Sequence, residues 1–298
     1  MCSKEGYCPW GDLNIIKTSN NGVFLSYYLN SKRKRDIANL AQGISVVHLY
    51  SSQLALLNLK IPSLPEQQKI ASFLSAVDEK IQQLKRKKEL LEQYKKGVMQ
   101  QLFLGKLRFK DENGKTFPKW EEKMLCEVCE INPVNQDLPE SFIYIDLESV
   151  EKGKLIQEKK LNRSEAPSRA QRKLLPQDIL YQTVRPYQMN NLLFNKEGDY
   201  VASTGYAQIR TRQSAGYIFQ LLHSDNFVNE VIEKCTGTSF PAINSKDLGR
   251  IRIPLPVPNE QQMIASFLTI LDRRIESIIN QIDNTKNFKR GLLQQMFV

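Results

Sequence analysis

The residues of this sequence best suited to chemistry are cations and amides grouped in short stretches, and the chemistry they suit is contact with nucleic acid. Lys152, Lys154, Lys159, Lys160, Arg163, Arg169, Arg172 and Lys173 fall within 151–173, where only three acids stand against them. Ammonium and guanidinium groups neutralise phosphates, and an arginine fork also fits the O6/N7 edge of guanine. Such a run serves equally well as a solvated loop. In "TVRPYQMNN", Arg185 suits guanine, Gln188 or Asn190 suits adenine, and Tyr187 can pack on a base or the backbone. An ordinary turn after a strand would use the same residues. "GYAQIRTR" sets Tyr206, Gln208, Arg210 and Arg212 on alternate positions, which share one face of a strand. "TGTSFPAIN" offers Thr238, Ser239 and Asn244 from a loop, where phosphate contacts are common.

The charge balance agrees. The chain of 298 residues carries a net charge of +10, which favours an acidic partner and nucleic acid first. Residues 80–110 hold ten Lys or Arg against Glu89 and Glu92, whereas 118–258 is neutral overall, with eighteen of each sign. The basic run at 151–173 therefore stands out within a neutral segment.

Enzymatic readings are weaker. An adenine methyltransferase needs an Asn/Asp-Pro-Pro-aromatic motif, and "NPVN" at 132–135 fails at its third and fourth positions. "GKT" at 114–116 has Phe109 where a phosphate-binding loop needs its first glycine. Asp146, Glu158 and Lys160 could form a nuclease set, but that spacing arises easily by chance. Cys126 and Cys129 form a CxxC without the second pair a zinc ribbon requires; two small, half-buried residues are the plain alternative. His48 and His223 share no motif. No catalytic residue and no metal site is expected. No apolar run of about 18 residues occurs, and "MCSKEGYCPW" lacks the core of a signal peptide, so a cytoplasmic protein is expected.

The elements that must position these residues are announced by an internal repeat. "EQQKIASFL" begins at Glu66 and "EQQMIASFL" at Glu260. Without a gap, 66–104 aligns with 260–298 at 15 of 39 identical positions, including Asp78 with Asp272 and Lys95 with Lys289. Ile70, Val77, Leu84, Leu91 and Val98 fall seven apart in the first copy; Ile264, Leu271, Ile278 and Leu292 hold the same seam in the second. This spacing predicts two long helices that pack as a coiled coil. Prolines precede both copies at 62 and 65 and at 254, 256 and 258, as helix-start signals. Upstream, Gly43 pairs with Gly237, Ser45 with Ser239, Leu54 with Leu248 and Pro62 with Pro256. Each helix thus follows a similar module, complete at 117–258 and represented at 1–64 only by its rear part. In the complete module, "FIYIDLESV", "DILYQTV" and "YAQIRT" read as strands, and "IFQLLHSDNFVNEVIEKCTG" has helical spacing with a stop at Gly237. The fold class expected is α+β: mixed α/β modules joined by two long coiled-coil helices in a repeat; that the helices run antiparallel in a pseudo-twofold pair is what the family resemblance given next implies.

The order "FPKWEEKML", "YIDLESVEKGKL", "DILYQTVRPY", a Gly-Thr-Ser loop and then "IRIPLPVPNEQQMIASFL" resembles the specificity subunit of a type I DNA restriction–modification enzyme over nearly the whole chain. The resemblance implies two target recognition domains that each read half of a split DNA sequence. It makes 1–64 part of the first domain, 65–110 its spacer helix, 117–258 the second domain and 259–298 the second spacer helix. The helices would act as a ruler and dock two methylation subunits, joined by restriction subunits. Adenine methylation with S-adenosylmethionine and ATP-driven, Mg-dependent cleavage would belong to those partners, with no cofactor on this chain. The chain departs from the pattern in its incomplete first domain, which leaves open a silent fragment or two chains pairing to supply two intact domains.

Overall fold

The computed structural model describes residues 14–41, 48–134, 137–237 and 239–297. Gly43, Ser45 and Thr238 lie outside the described residues. The chain begins with helices α1 (Gly22–Asn30), α2 (Lys34–Leu40), α3 (Ser51–Leu54) and the 40-residue α4 (Leu64–Phe103). Then follow β1 (Glu121–Met124), α5 (Leu125–Val128), β2 (Cys129–Ile131), β3 (Ser141–Ile145), β4 (Val150–Glu151), β5 (Lys154–Leu155), β6 (Lys159–Asn162), β7 (Ala170–Lys173), β8 (Ile179–Gln182), β9 (Leu192–Leu193), β10 (Tyr200–Ser203) and β11 (Tyr206–Thr211). The chain closes with α6 (Ala215–Leu221), α7 (Asp225–Glu233), α8 (Ser245–Gly249), β12 (Arg252–Leu255) and the 39-residue α9 (Pro258–Met296). At about 1.5 Å per residue each long helix is roughly 60 Å long. Among the described residues no helix is long and apolar enough to cross a membrane.

The chain divides into two compact units, Met1–Leu90 with Ile275–Val298, and Leu91–Arg274. In the first unit α1 lies on the long helices. Phe24, Leu25 and Tyr28 pack with Ile70, Ala71 and Leu74 of α4 and with Phe297, whose ring meets Phe24 edge-on at 5.5 Å. Val77, Ile81 and Leu84 continue the buried stripe on α4, as Ile278 and Ile282 do on α9. Tyr27 donates a 2.6 Å hydrogen bond to Asp78, and the Lys289 ammonium sits 2.7 Å from the same carboxylate.

In the second unit the last turns of α4 (Met99, Leu102, Phe103) pack against Ile264, Ala265, Leu268 and Leu271 of α9 and against Tyr217 and Ile218 of α6. The early part of α4 thus meets the end of α9, and the end of α4 meets the start of α9, so the helices run antiparallel. Lys95 lies 2.5 Å from Asp272. Because Asp272 repeats Asp78 and Lys289 repeats Lys95, the two cross-helix pairs are reciprocal copies of one interaction.

The start of each long helix is also built twice. Gln67 and its repeat Gln261 are both buried. Each donates to a carbonyl five residues earlier, of Pro62 at 2.9 Å and of Pro256 at 2.8 Å. Each accepts from the chain just before α1 or α6, from Asn21 N at 2.9 Å and Ser214 N at 3.2 Å. One feature differs. After α4 the segment at 104–120 seats on α9: Arg108 forks onto Glu260 at 2.9 and 2.6 Å, the Trp120 indole donates to the same carboxylate at 2.7 Å, and the Phe109 ring meets Phe267 edge-on.

The rest of the second unit is two four-stranded sheets, ordered β6-β3-β10-β7 and β2-β11-β8-β9, a β4–β5 hairpin and an antiparallel β1–β12 pair. The β2-β11-β8-β9 sheet has apolar partners on both faces. Ile179, Tyr181, Ala207 and Ile209 enter the core made with the helices, whereas Leu180, Leu192 and Tyr206 enter a second core with Ile145, Val150 and Ala202. The stretch read as helical from Ile218 to Gly237 is two helices: Ser224 caps α7 by accepting from Phe227 N, and α7 ends at Glu233, before Gly237. Gly237 instead serves the loop beyond, where its φ of +92° and a Phe240 carbonyl 3.2 Å from the place of a Cβ leave room only for glycine.

His223 sits at the break between α6 and α7. Nδ1 is 2.7 Å from the Phe219 carbonyl and Nε2 is 3.3 Å from the Asn191 amide nitrogen. A carbonyl only accepts, so Nδ1 carries the hydrogen, Nε2 accepts, and the ring is neutral. Burial is the main cause that pushes its pKa below the usual value. As pH falls through the ordinary histidine value, about 6.5, the unfolded chain takes up a proton that the folded chain refuses. Stability contributed above that pH is therefore lost below it. Thermal midpoints measured from pH 7.5 to 5.5 should fall more steeply for the wild type than for His223→Gln; parallel curves would refute the assignment.

Candidate nucleic-acid interface

Three short segments meet at one surface. The β4–β5 hairpin turns through Lys152 and Gly153, both at positive φ (49° and 77°), as a two-residue type I′ turn requires. The backbone N–H of Lys152 donates to Asn190 Oδ1 at 3.1 Å, which ties the hairpin to the end of the loop after β8. That loop passes Arg185 (φ 54°), a short 3-10 turn at Pro186–Gln188, and Met189 (φ 52°). Val184 bridges Ala242 and Arg185 N donates to the Pro241 carbonyl at 2.7 Å, so the loop following Gly237 lies alongside. The Arg185 guanidinium stacks over the Phe240 ring at 4.4 Å.

This surface is strained and exposed at once. Of five non-glycine residues at positive φ among the described residues, Lys152, Arg185 and Met189 belong to it. Each costs on the order of 1 kcal/mol, a cost that persists where surrounding structure fixes the loop. Tyr187, Met189 and Phe240 point largely into solvent, Phe240 at 62% exposure. Beneath them the polar contacts are dense. Gln182 donates to Val184 O and to Gln188 Oε1 at 2.7 and 2.9 Å, and its own N–H meets Asn191 Oδ1 at 2.8 Å. An arginine, a tyrosine and two apolar side chains thus stand on a firm polar base, suited to planar hydrogen-bonding partners and stacked rings.

The residues singled out from sequence divide into three groups. Lys152, Arg185, Tyr187, Gln188, Asn190 and Ser239 are in this cluster or its loops. Gln188 and Asn190 spend their side-chain oxygens on Gln182 and Lys152. The other cations of 151–173 do not form one patch. Lys159 and Lys160 lie on β6, one edge of the four-stranded sheet, and Arg172 and Lys173 on β7, the opposite edge. Lys159, Lys160 and Arg169 are exposed; Lys154 extends from the hairpin, and Arg163 reaches the Leu138 carbonyl at 3.1 Å. Arg172 is half-buried, with a buried Nε that has no hydrogen-bond partner, and burial lowers its pKa.

The third group serves the interior. Tyr206 and Gln208 are fully enclosed, and Arg210 is held by Asp178 through two 2.8 Å bonds. Gln208 donates to the same carboxylate at 2.7 Å and Leu175 N at 2.8 Å. These side chains hold the centre of the sheet together, which sets Tyr206, Gln208 and Arg210 apart from the DNA-contact role read for them from sequence; Arg212, beyond them, is exposed. Asn244 caps α8, accepting from Asp247 N at 2.8 Å. Met189 and Phe240 were not singled out from sequence, and the nearest signal was an aromatic residue inside a Gly/Thr/Ser loop.

Asp146 Oδ1 accepts from Glu148 N, Ser149 N and Ser149 Oγ in a tight turn, and Glu158 pairs with Lys196. No group of three His, Cys, Asp or Glu side chains could hold a metal among the described residues. Cys126 is exposed, while Cys129 is buried, which pushes its thiol up to about 11.

A family profile for the type I restriction modification DNA specificity domain matches residues 7–93 and 118–285. The MjaVIII specificity subunit of Methanocaldococcus jannaschii is 24% identical over 296 residues, covering 91% of this chain and 68% of that protein. The HindI specificity subunit of Haemophilus influenzae is 27% identical over 166 residues, 53% of this chain and 36% of its own. Among solved structures, the type I restriction–modification S subunit from M. genitalium superposes with a TM-score of 0.58 at 19% identity, covering 93% of this chain and 72% of that one. A chain from a study of complex assembly and conformational transition of the type I R-M system gives 0.55 at 20% identity, covering 93% and 71%. At these identities the superpositions speak to the fold, which is shared.

The burial of Asp178 separates structural from contact roles. Asp178→Ala removes a carboxylate that accepts from Arg210, Gln208 and Leu175 and leaves Arg210 unpaired, and it should cost about 3 kcal/mol in urea denaturation. Unchanged stability would show that Arg210 is free for another partner.

Proposed function

The chain belongs to the type I restriction modification DNA specificity family, and on that footing we propose that its module at 117–258 reads one half of a bipartite DNA target through the loop cluster of Lys152, Arg185, Tyr187, Ser239 and Phe240. The observation that carries this reading is the convergence of three strained, non-glycine residues on one exposed surface with an arginine stacked on an aromatic ring. Base readout needs donors held in fixed poses, and the contacts of Lys152 N with Asn190 and of Arg185 N with Pro241 O support that reading. The exposed cations at the sheet edges, Lys159, Lys160 and Arg169 among them, would neutralise phosphates and set the module's orientation.

The role is recognition without catalysis. Methylation and cleavage, with S-adenosylmethionine and with ATP and Mg²⁺, would reside in partner subunits, and this chain would bind none of these cofactors. Two methylation subunits would dock along the long helices, where Lys85, Arg86 and Lys87 are exposed on α4, and restriction subunits would join that core. The assembly would work in the cytoplasm.

A second reading concerns the other half-site. Among the described residues every strand of two or more residues lies between 121 and 255. In this reading two chains would pair so that two modules at 117–258 present the two half-sites. Co-expression with the neighbouring methylation subunit, followed by genome-wide mapping of methylated adenines, decides between these readings. A palindromic split motif supports pairing; an asymmetric split motif means one chain reads both halves. No motif, with the methylation subunit competent beside a full-length specificity chain, marks a silent fragment and overturns the reading function.

Within an active complex, Arg185→Ala should relax one base preference by about 1–3 kcal/mol. Lys160→Ala should weaken all sequences alike and lower the salt slope by about one. Anisotropy titrations across salt concentrations on matched and mismatched duplexes measure both effects, and full specific affinity in both variants would refute this map.

A further inference from the structure

The duplication builds one docking seat twice, and among the described residues only one copy is filled. On α9 the seat consists of Glu260 and Phe267, and the segment at 104–120 fills it with Arg108, Phe109 and Trp120. Glu260 is fully enclosed as a result, and its carboxylate takes three charge-assisted hydrogen bonds. On α4 the same residues recur as Glu66 and Phe73, with Gln68 and Ser72 repeating Gln262 and Ser266. There Glu66 is exposed and Phe73 is 45% exposed. Pro65, Gln68, Lys69, Ser72 and Phe73 line a shallow cavity of about 590 Å³ beside them. A phenylalanine and a carboxylate in the same helical register as an occupied seat keep the chemistry for an occupant.

We propose that the α4 face at 65–73 is a docking site for a peptide segment of a second, different polypeptide that carries an arginine followed directly by an aromatic residue. The arginine would fork onto Glu66, as Arg108 does onto Glu260, and the aromatic ring would meet Phe73 edge-on. Charge complementarity sets the first requirement, because a carboxylate taken out of water needs a cation with matched geometry. Lys69 stands where α9 has Met263, and it adds a cation to the rim. Acidic residues beside the aromatic, of the kind Asp111 and Glu112 supply after Phe109, are therefore favoured. Within residues 1–298 the Arg-Phe pair occurs once, at 108–109, and it is engaged on α9, so a second copy of these residues is a poor source. The proposal does not depend on which DNA is read.

The test uses the full chain and a fluorescein-labelled peptide of residues 104–122 as the probe. Saturable binding at one peptide per chain is expected, weakened at least tenfold when the peptide carries Arg108→Ala. Glu66→Gln in the chain should weaken binding about tenfold, and Phe73→Ala should abolish it. Both side chains are solvent-facing, so unchanged thermal midpoints confirm that the variants fold. Absence of binding overturns the proposal. So does binding that survives both variants, which would mean exchange onto α9. Self-association of the chain that disappears in Phe73→Ala would assign the seat to a second copy and equally overturn it.

Discussion

A helix of about 40 residues with an apolar stripe along one side cannot lie alone in water, and the need to cover that stripe governs the rest of this molecule. Leu74, Leu102, Ile264 and Leu268 have no exposed surface at all, and full burial of such side chains contributes roughly 1.5–3 kcal/mol each. The seam stabilises the helix pair but does not by itself choose a register, since a slip of one heptad, about 10 Å, would again set apolar against apolar. The two reciprocal lysine–aspartate pairs supply that choice. Their side chains are between 17% and 42% exposed, so each contributes little energy after solvent screening. Because they are copies related by the repeat, any slip separates both together.

The repeat also shows how identical sequence acquires different structure. Gln67 and Gln261 make equivalent bonds because their acceptors and donors are local, within the helix start and the short helix packed on it. Glu66 and Glu260 differ because the partners of Glu260 come from more distant chain. Arg108 and Trp120 arrive from the segment after α4, and their three bonds are what permit a glutamate to be enclosed. Local chemistry is duplicated with the helix; its environment is supplied by whatever the rest of the chain brings to it.

This distinction explains what could be read from the sequence. The long helices and their matched length were legible, because heptad spacing is a local signal repeated many times; their antiparallel arrangement came from the family resemblance. β11 was legible as Tyr206–Thr211, and β8 lay inside "DILYQTV". The role of β11 was not. Period-two alternation distinguishes two faces, but it assigns one to water only when a sheet is covered on a single side. Here Ala207 and Ile209 enter one core while Tyr206 enters another, and Gln208 and Arg210 turn to Asp178, some thirty residues upstream. The basic run was divided for a related reason. β6 and β7 are near in sequence, but β3 and β10 lie between them in the sheet, so Lys160 and Arg172 occupy opposite edges. Non-local strand order is invisible to a count of charges.

The loop cluster separates the side chains that are displayed from those that hold the loop in place. A strained loop holds its pose only if its foundation leaves it no alternative. That foundation is a chain of buried amides: His223 accepts from Asn191, Asn191 accepts from Gln182 N, and Gln182 donates to Gln188 and Val184. Gln182 and Asn191 are buried and His223 is partly buried, while Tyr187, Met189 and Phe240 are exposed above them. Changing the upper set alters the surface the loop displays and leaves the foundation intact. Changing the lower set frees the strained backbone and loses the pose, whatever side chains the loop displays. The side chains that the loop displays and the bonds that hold its backbone are thereby carried by different residues, so that the first can vary without the second.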